Sequence, residues 1–401
     1  MQPTSKTAAL TTETDTDTET PMMNTRLEAD YWVVDSDGYF APAGPLAGVD
    51  GCTVEKREPA SLVTVTTPLS ESIPALRQSF VDRLEEACAR AANTERRLVP
   101  LATPINGTPR VDQPDDDRTR LRQVIADTED DESDDAVSSK SGLDRESGPS
   151  VDRRYCAGAR VCVERHAVTD QLNALLALTP ALALVNSSPY VGGERVAAGA
   201  RTHCHRTRVD GARDGRPCRY VDSAAEWNRR FEASADVGWT PVALRERADP
   251  PMIEWRAPDA ALPKQLLGLA GDVATVMDRL RRGTVHIGGR GERADRGGGR
   301  GRRGTERTDA APPGRVTSDG LALPRATTVA DLVDAATYEG LESTPLAVYL
   351  ERMGFAVDDY HPISARIDGR RYVSRADARE LRLEYAGLLE ADVAELACTL
   401  E

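Results

Sequence analysis

Lysine is nearly missing from this 401-residue chain: Lys6, Lys56, Lys140 and Lys264 leave 47 of the 51 basic residues as arginines, against a net charge of −14. An acidic, lysine-poor chain suits a cytoplasm of very high salt, where carboxylates keep the surface hydrated. A GC-rich genome combined with an acidic surface gives the same composition. No run of 18 or more apolar residues occurs, so no transmembrane helix is expected, and a membrane is not expected as a partner. The first twenty residues are rich in Thr, Asp and Glu and lack a basic region followed by an apolar block, so a secretory leader is not expected. There is no CxxC. The seven cysteines are odd in number and widely spaced, which fits a reducing cytoplasm rather than a disulfide framework or a structural zinc site. No GK[ST] follows a glycine-rich stretch, so no P-loop is present. The overall acidity argues against nucleic acid as the default partner.

The hydrophobic share of 40% is enough for an ordinary core. Residues 1–25 read as a disordered tail. TRLEADYWVVDSDGY (25–39) reads as a strand, a turn at Asp35–Gly38 and the start of a second strand. Ser61–Pro68 alternates as a half-buried strand does and stops at proline. Ile73, Leu76, Phe80, Leu84, Ala87 and Ala91 then recur at helical spacing, predicting a helix over Glu71–Asn93. Leu98–Pro104 reads as a buried strand. Residues 110–150 crowd aspartate and glutamate, then serine and glycine, and read as a mobile acidic loop.

Ala159–Arg165 reads as a strand, followed by a helix from Thr169, its expected N-cap, to about Val185, with Pro180 kinking or ending it. MIEWRAP (252–258) is a strand and Leu262–Leu280 a long amphipathic helix. Residues 282–325 form a flexible insertion around the Gly/Arg block 288–304, whose local charge is +4. Residues 326–401 form a helical C-terminal extension ending in a long helix over Arg375–Ala397. Strands separated by helices, with hairpin signals at the start, give an α+β class with a mainly antiparallel sheet.

Two constellations carry candidate chemistry. Glu28 and Asp30 are two apart on one strand and so share a sheet face, as do Glu254 and Arg256 on another. A carboxylate beside a guanidinium suits a site that binds a metal–nucleotide and polarises phosphoryl oxygens. Cross-strand ion pairs or solvated charges would give the same pattern.

The order LEADYWVVD, VTVTTPLSE, AGARVCV, LNALLALTPALALVNSSPYVGG and MIEWRAPDA, over roughly residues 25–281, resembles the type 2 glutamate–cysteine ligase (carboxylate–amine ligase) family. Its most specific stretch is Asn186–Ser187–Ser188–Pro189–Tyr190. The resemblance implies a glutamine-synthetase-like core over 26–281, an antiparallel sheet curved into a funnel with helices packed outside. It implies ATP and Mg²⁺ as cofactors, a glutamate-like carboxylate and a small amine such as cysteine as substrates, and amide formation through an acyl phosphate. Carried over by position, Glu28, Asp30 and Glu254 would hold metal. Glu254 and Arg256 would be catalytic, and Arg160 and Arg256 would contact the nucleotide or substrate anion. A homo-oligomer is left open.

The chain departs from the family pattern at Ala29 and Thr64, where glutamates are usual, and at Arg160 and Cys162, where two histidines stand. A permanent cation at Arg160 either repels Mg²⁺, takes its place beside the carboxylates, or contacts phosphate directly. Two readings follow: an ATP-dependent ligase, impaired at its metal site, or a catalytically inactive homologue that binds a small molecule or a protein. A third, RNA association through residues 288–304, has no interleaved aromatic residues to support it. His203 and His205, flanking Cys204, would share one face if they lay on a strand, but in an arginine-rich neighbourhood they read as surface residues. Cys162 reads either as a small buried hydrophobe or as a thiol activated by Arg160 and Arg165.

Overall fold

The computed structural model describes residues 22–54, 60–109, 155–207, 219–232, 240–288, 314–367 and 369–400. Most of the expected tail, the acidic loop 110–150 and residues 289–304 of the Gly/Arg block lie outside the described residues.

In chain order the strands are β1 (Thr25–Asp35), β2 (Cys52–Val54), β3 (Leu62–Thr66), β4 (Arg96–Val99), β5 (Ala159–Glu164), β6 (Tyr190–Val191), β7 (Glu194–Arg195), β8 (Val242–Arg245), β9 (Met252–Trp255), β10 (Thr284–Ile287), β11 (Arg315–Thr317) and β12 (Gly320–Leu323). The helices are α1 (Ile73–Ala92), α2 (Val168–Ala177), α3 (Ala200–Thr207), α4 (Ala224–Glu232), α5 (Pro263–Arg282), α6 (Ala326–Tyr338), α7 (Thr344–Arg352), α8 (Ile363–Arg366) and α9 (Arg375–Cys398). The main sheet runs β2-β3-β1-β5-β9-β8, with β4 also on β1, and every pairing is antiparallel. The class is α+β.

The alternation within β1 decides which face meets the helices. Leu27, Ala29, Tyr31 and Val33 are all fully buried on one face, leaving Arg26, Glu28 and Asp30 on the other. Against the apolar face lie α1 and α5. Helix α1 starts where the Ser72 hydroxyl accepts from Ala75 N–H, and it buries Leu76, Phe80, Leu84, Ala87 and Ala91. Helix α5 has no capping side chain of its own; Asp392, from α9, accepts its Lys264 N–H at 2.8 Å.

Helix α9 opens with a reciprocal capping box between Ser374 and Asp377 and packs on α1, β4 and α5. Its Arg382 donates to the carbonyls of Gly38 (2.6 Å), Asn106 (2.7 Å) and Pro104 (3.4 Å). The helices after residue 326 thus belong to the same hydrophobic core as the sheet, which runs from Met23 to Leu396. The ends of the expected insertion 282–325 are also ordered: β10, β11 and β12 form a three-stranded sheet.

Several local expectations are corrected. Thr169 is not the N-cap of α2. The helix begins at Val168, and the Gln171 side chain does the tying, accepting from His166 N–H (2.9 Å) and donating to the Glu164 carbonyl (2.9 Å). The helix ends at Ala177 and continues as a 3₁₀ segment, Thr179–Val185, because Pro180 cannot donate to the α ladder. The strand expected over Leu98–Pro104 is Arg96–Val99, ending before Pro100. The turn after Asp35 leads only to an isolated bridge, Val34 to Phe40, rather than a second strand. Among the described residues no single helix is long and apolar enough to cross a membrane.

Candidate functional site

The polar face of the main sheet gathers the charged residues that the sequence singled out. Strand pairing sets Glu28 opposite Arg160, Asp30 opposite Thr64, and Cys162 opposite Glu254. Four side chains, Glu28, Asp30, Arg160 and Glu254, therefore converge from the three strands β1, β5 and β9.

Arg160 is at the centre. Its Nη1 and Nη2 meet Asp30 Oδ1 and Oδ2 as a fork, each at 3.3 Å, and Nη1 also reaches Glu28 Oε2 at 3.5 Å. Its Nε lies 3.5 Å from Glu254 Oε1, an ion pair that lacks hydrogen-bond geometry. Asp30 is satisfied further by the Thr64 hydroxyl (2.7 Å) and the Gly158 N–H (3.2 Å). Glu254, 1% exposed at its side chain, has Arg245 Nε hydrogen-bonded to its other oxygen. Arg26 stands 3.9 Å from Glu28. Burial works against the Arg160 charge, but Asp30, Glu254 and Glu28 outweigh it and raise its pKa.

Arg256 is held differently. Its Nε and Nη2 donate to the carbonyl and hydroxyl of Thr240, at 2.6 and 2.5 Å. Burial lowers its pKa; Glu254 opposes that, while the guanidiniums of Arg245, Arg160 and Arg201 add to it. The site therefore joins Glu28, Asp30, Glu254 and Arg160 in direct contact and leaves Arg256 beside them, on its own anchor.

The residues fit a magnesium ion poorly. Three carboxylates are grouped, yet a guanidinium stands among them, and Mg²⁺ demands near-octahedral oxygen ligands with full positive charge at their centre. Among the described residues no group of three or more His, Cys, Asp or Glu side chains is arranged to hold a metal. Four arginines (Arg26, Arg160, Arg245 and Arg256) offset the three carboxylates on this face. A guanidinium cannot be deprotonated at working pH, so Arg160 acts as a fixed cation and not as a base.

Cys162 is 3% exposed, and burial, then Glu28 and Glu254, push its thiol pKa up. It is a small buried side chain and not an activated thiol. His203 and His205 lie on helix α3, not on a strand, so their side chains diverge around the axis. The His203 ring meets Tyr338 edge-on at 5.8 Å, and burial, then Arg206, lowers its pKa.

Sequence reasoning missed a buried pair behind this face. Asp259 is fully buried, accepts the Ser187 N–H at 3.1 Å and lies 3.8 Å from Arg201. Arg201 in turn donates to the carbonyls of Arg256 (3.1 Å), Ala257 (3.0 Å) and Pro258 (3.0 Å). Burial pushes the Asp259 pKa up to about 6, with Arg201 and the Ser187 N–H opposing. Asp259 joins the NSSPY segment, through Ser187, to MIEWRAPDA, and it was visible inside that quoted motif, whereas Arg201 lies outside every quoted motif. Their partnership was not visible, since they lie on a helix and a loop with no fixed spacing.

No family model and no curated protein sequence matches the chain. Among solved structures, a bifunctional glutathione synthetase from Pasteurella multocida aligns over 93% of this chain and 53% of its own, at 12% identity and a TM-score of 0.44. This chain thus spans about half of that one. A glutamate–cysteine ligase from Francisella tularensis in complex with AMP aligns over 94% and 92%, at 11% identity and 0.45. The complex of the prokaryotic ubiquitin-like protein Pup with its ligase PafA gives 94% and 66%, at 10% identity and 0.32. By name they are a synthetase and two ligases, and this is what the chain is similar to; likeness at such scores carries no argument about its site.

Proposed function

We propose that this chain is a carboxylate–amine-ligase-like protein that binds a small carboxylate- or phosphate-bearing ligand without divalent-metal chemistry. The observation that carries the reading is the Arg160 guanidinium in contact with Asp30, Glu28 and Glu254, the three carboxylates that the family resemblance would assign to Mg²⁺. A fixed cation there neutralises the carboxylates and disfavours a second cation by direct repulsion. Arg256 is the group available to a ligand. Thr240 orients it, burial and then its arginine neighbours disfavour its charge against the pull of Glu254, and among the described residues no carboxylate lies within ion-pair distance of it. An incoming carboxylate or phosphate would relieve that excess with paired N–H donors. In the glutamine-synthetase-like arrangement that the resemblance implies, this face would be the floor of a funnel.

The convergence of Glu28, Asp30 and Glu254 on one point favours a second reading, a working ATP- and Mg²⁺-dependent amide-forming ligase in which Glu254 and Arg256 are catalytic. Calorimetric titration of glutamate and of ATP in high salt, each with Mg²⁺ and with EDTA, separates the two. Binding that is equal in both conditions and lost in Arg256→Met supports the metal-independent reading. Binding that requires Mg²⁺ supports the ligase, and an absence of binding by either ligand removes Arg256 as an anion site.

A further inference from the structure

We propose that Cys156 and Cys204 form a redox pair that closes to an intramolecular disulfide and clamps helix α3 to the strand entering the arginine–carboxylate site. Their thiols lie within interaction distance of each other. They also pack into one small apolar cluster with Val191, Val196 and Ala200. The backbone on both sides is fixed. Ala157 N–H donates to the Ala102 carbonyl at 2.9 Å, and on the helix side Ala200 N–H donates to Ser188 and Gly199 N–H to Thr337, both at 2.9 Å. Two sulfurs held adjacent by anchored segments react with each other at an effective concentration far above any second molecule in solution.

The oxidant is a low-molecular-weight disulfide. Cys156 is half-buried and Cys204 6% exposed, so the Cys156 thiolate attacks first. It bonds to one sulfur of the oxidant, and the other sulfur leaves as a thiolate. The Cys204 thiolate then attacks the Cys156 sulfur of that mixed disulfide and expels the second small thiolate. The two protein protons end on the two released thiols, so one small disulfide is reduced for each protein disulfide formed. The contact with Cys204, and then burial, push the Cys156 thiol pKa up, which makes the first step slow.

The pair sits where a cross-link would act on the site. Arg201, one turn before Cys204, holds the carbonyls of Arg256, Ala257 and Pro258, and Gly158, two residues after Cys156, donates to Asp30. The inference is independent of what binds at Arg256.

The test is oxidation of the intact wild-type chain with oxidised glutathione, followed by alkylation with N-ethylmaleimide under denaturing conditions and peptide mapping. The expected product is a Cys156–Cys204 linked peptide lighter by two hydrogens, while exposed Cys398 carries glutathione or maleimide. Oxidation should also raise the thermal midpoint, reversibly with reductant, in wild type and not in Cys204→Ser. Recovery of both cysteines as alkylated thiols, or as two separate glutathione adducts, overturns the proposal. So does a linked peptide joining either residue to a different cysteine.

Discussion

Arg160 and Asp30 meet through two parallel contacts of 3.3 Å across the β1–β5 pair, although the strand register sets Arg160 opposite Glu28. The guanidinium leans two residues along the neighbouring strand to reach the more buried carboxylate. That choice leaves Glu28 at 3.5 Å and brings Nε toward Glu254. One side chain thereby satisfies acids from two strands that do not pair with each other.

Removing that side chain should expose the charge logic directly. Arg160→Ala leaves Asp30 and Glu254 buried with fewer partners, a loss of about 3 kcal/mol at neutral pH. The low end of the range for broken buried pairs applies because the Arg160 side chain keeps 29% exposure. If arginine stands in a cation's place, millimolar Mg²⁺ or Mn²⁺ at constant ionic strength should raise the thermal midpoint of the variant and leave wild type unmoved. Equal shifts in both proteins would count against it.

Asp259 sets a pH dependence whose sign can be worked out. Its folded pKa is raised to about 6, whereas in the unfolded chain the carboxyl ionises near its ordinary value of about 3.9. Between those values the folded state holds the proton and the unfolded state has lost it, so stability falls as pH rises through that window and levels off above about 6. Arg201 and the Ser187 N–H are the groups that face it. Denaturant melts across pH 4 to 7 should show wild type losing up to about 3 kcal/mol relative to Asp259→Asn. A difference that stays flat across the window would contradict the assignment.

Arg382 predicts how the C-terminal helix is attached. Replacing it with leucine strips donors from the carbonyls of Gly38, Pro104 and Asn106, at roughly 3 kcal/mol or more for hydrogen bonds to a charged group. Deleting residues 375–400 should abolish the cooperative thermal transition altogether, because Tyr385, Leu389 and Val393 of α9 are part of the common core. A truncated chain that still melts cooperatively would make α9 an appendage.

Gly193 reads out the docking of the β6–β7 hairpin. Its φ is +89°, and a Cβ would stand 2.6 Å from the Val373 carbonyl oxygen and 2.7 Å from Asn106 Nδ2. Gly193→Ala should cost on the order of 2 kcal/mol from the left-handed backbone alone, with the clash adding to it. A stability change within error in urea melts would show that the hairpin shifts freely.

Much of the sheet and the longest helices were legible because their signals are periodic and local. The alternation of Leu27, Ala29, Tyr31 and Val33 marks β1, and the expected helix over Leu262–Leu280 is α5 within two residues at its far end. The start of α2 was misplaced because Gln171, inside the helix itself, ties its first turn to the His166 N–H and the Glu164 carbonyl, where a hydroxyl cap was expected. The helices after residue 326 looked like an extension because their amphipathic faces do not name a partner; for α9 the partners are α1, β4 and α5. At the site, parity on the strands correctly put Glu28 and Asp30 on one face. The link from Asp259 to Ser187 and Arg201 depends on tertiary placement and leaves no periodic trace.

The most direct test of the central claim is calorimetry of ATP binding to the purified protein in high salt, with excess Mg²⁺ and again with EDTA. With Arg160 in the cation's place, the isotherm should be the same in both conditions. An ATP isotherm that appears with Mg²⁺ and vanishes with EDTA would mean the carboxylates hold a metal after all, and the metal-independent account would be wrong.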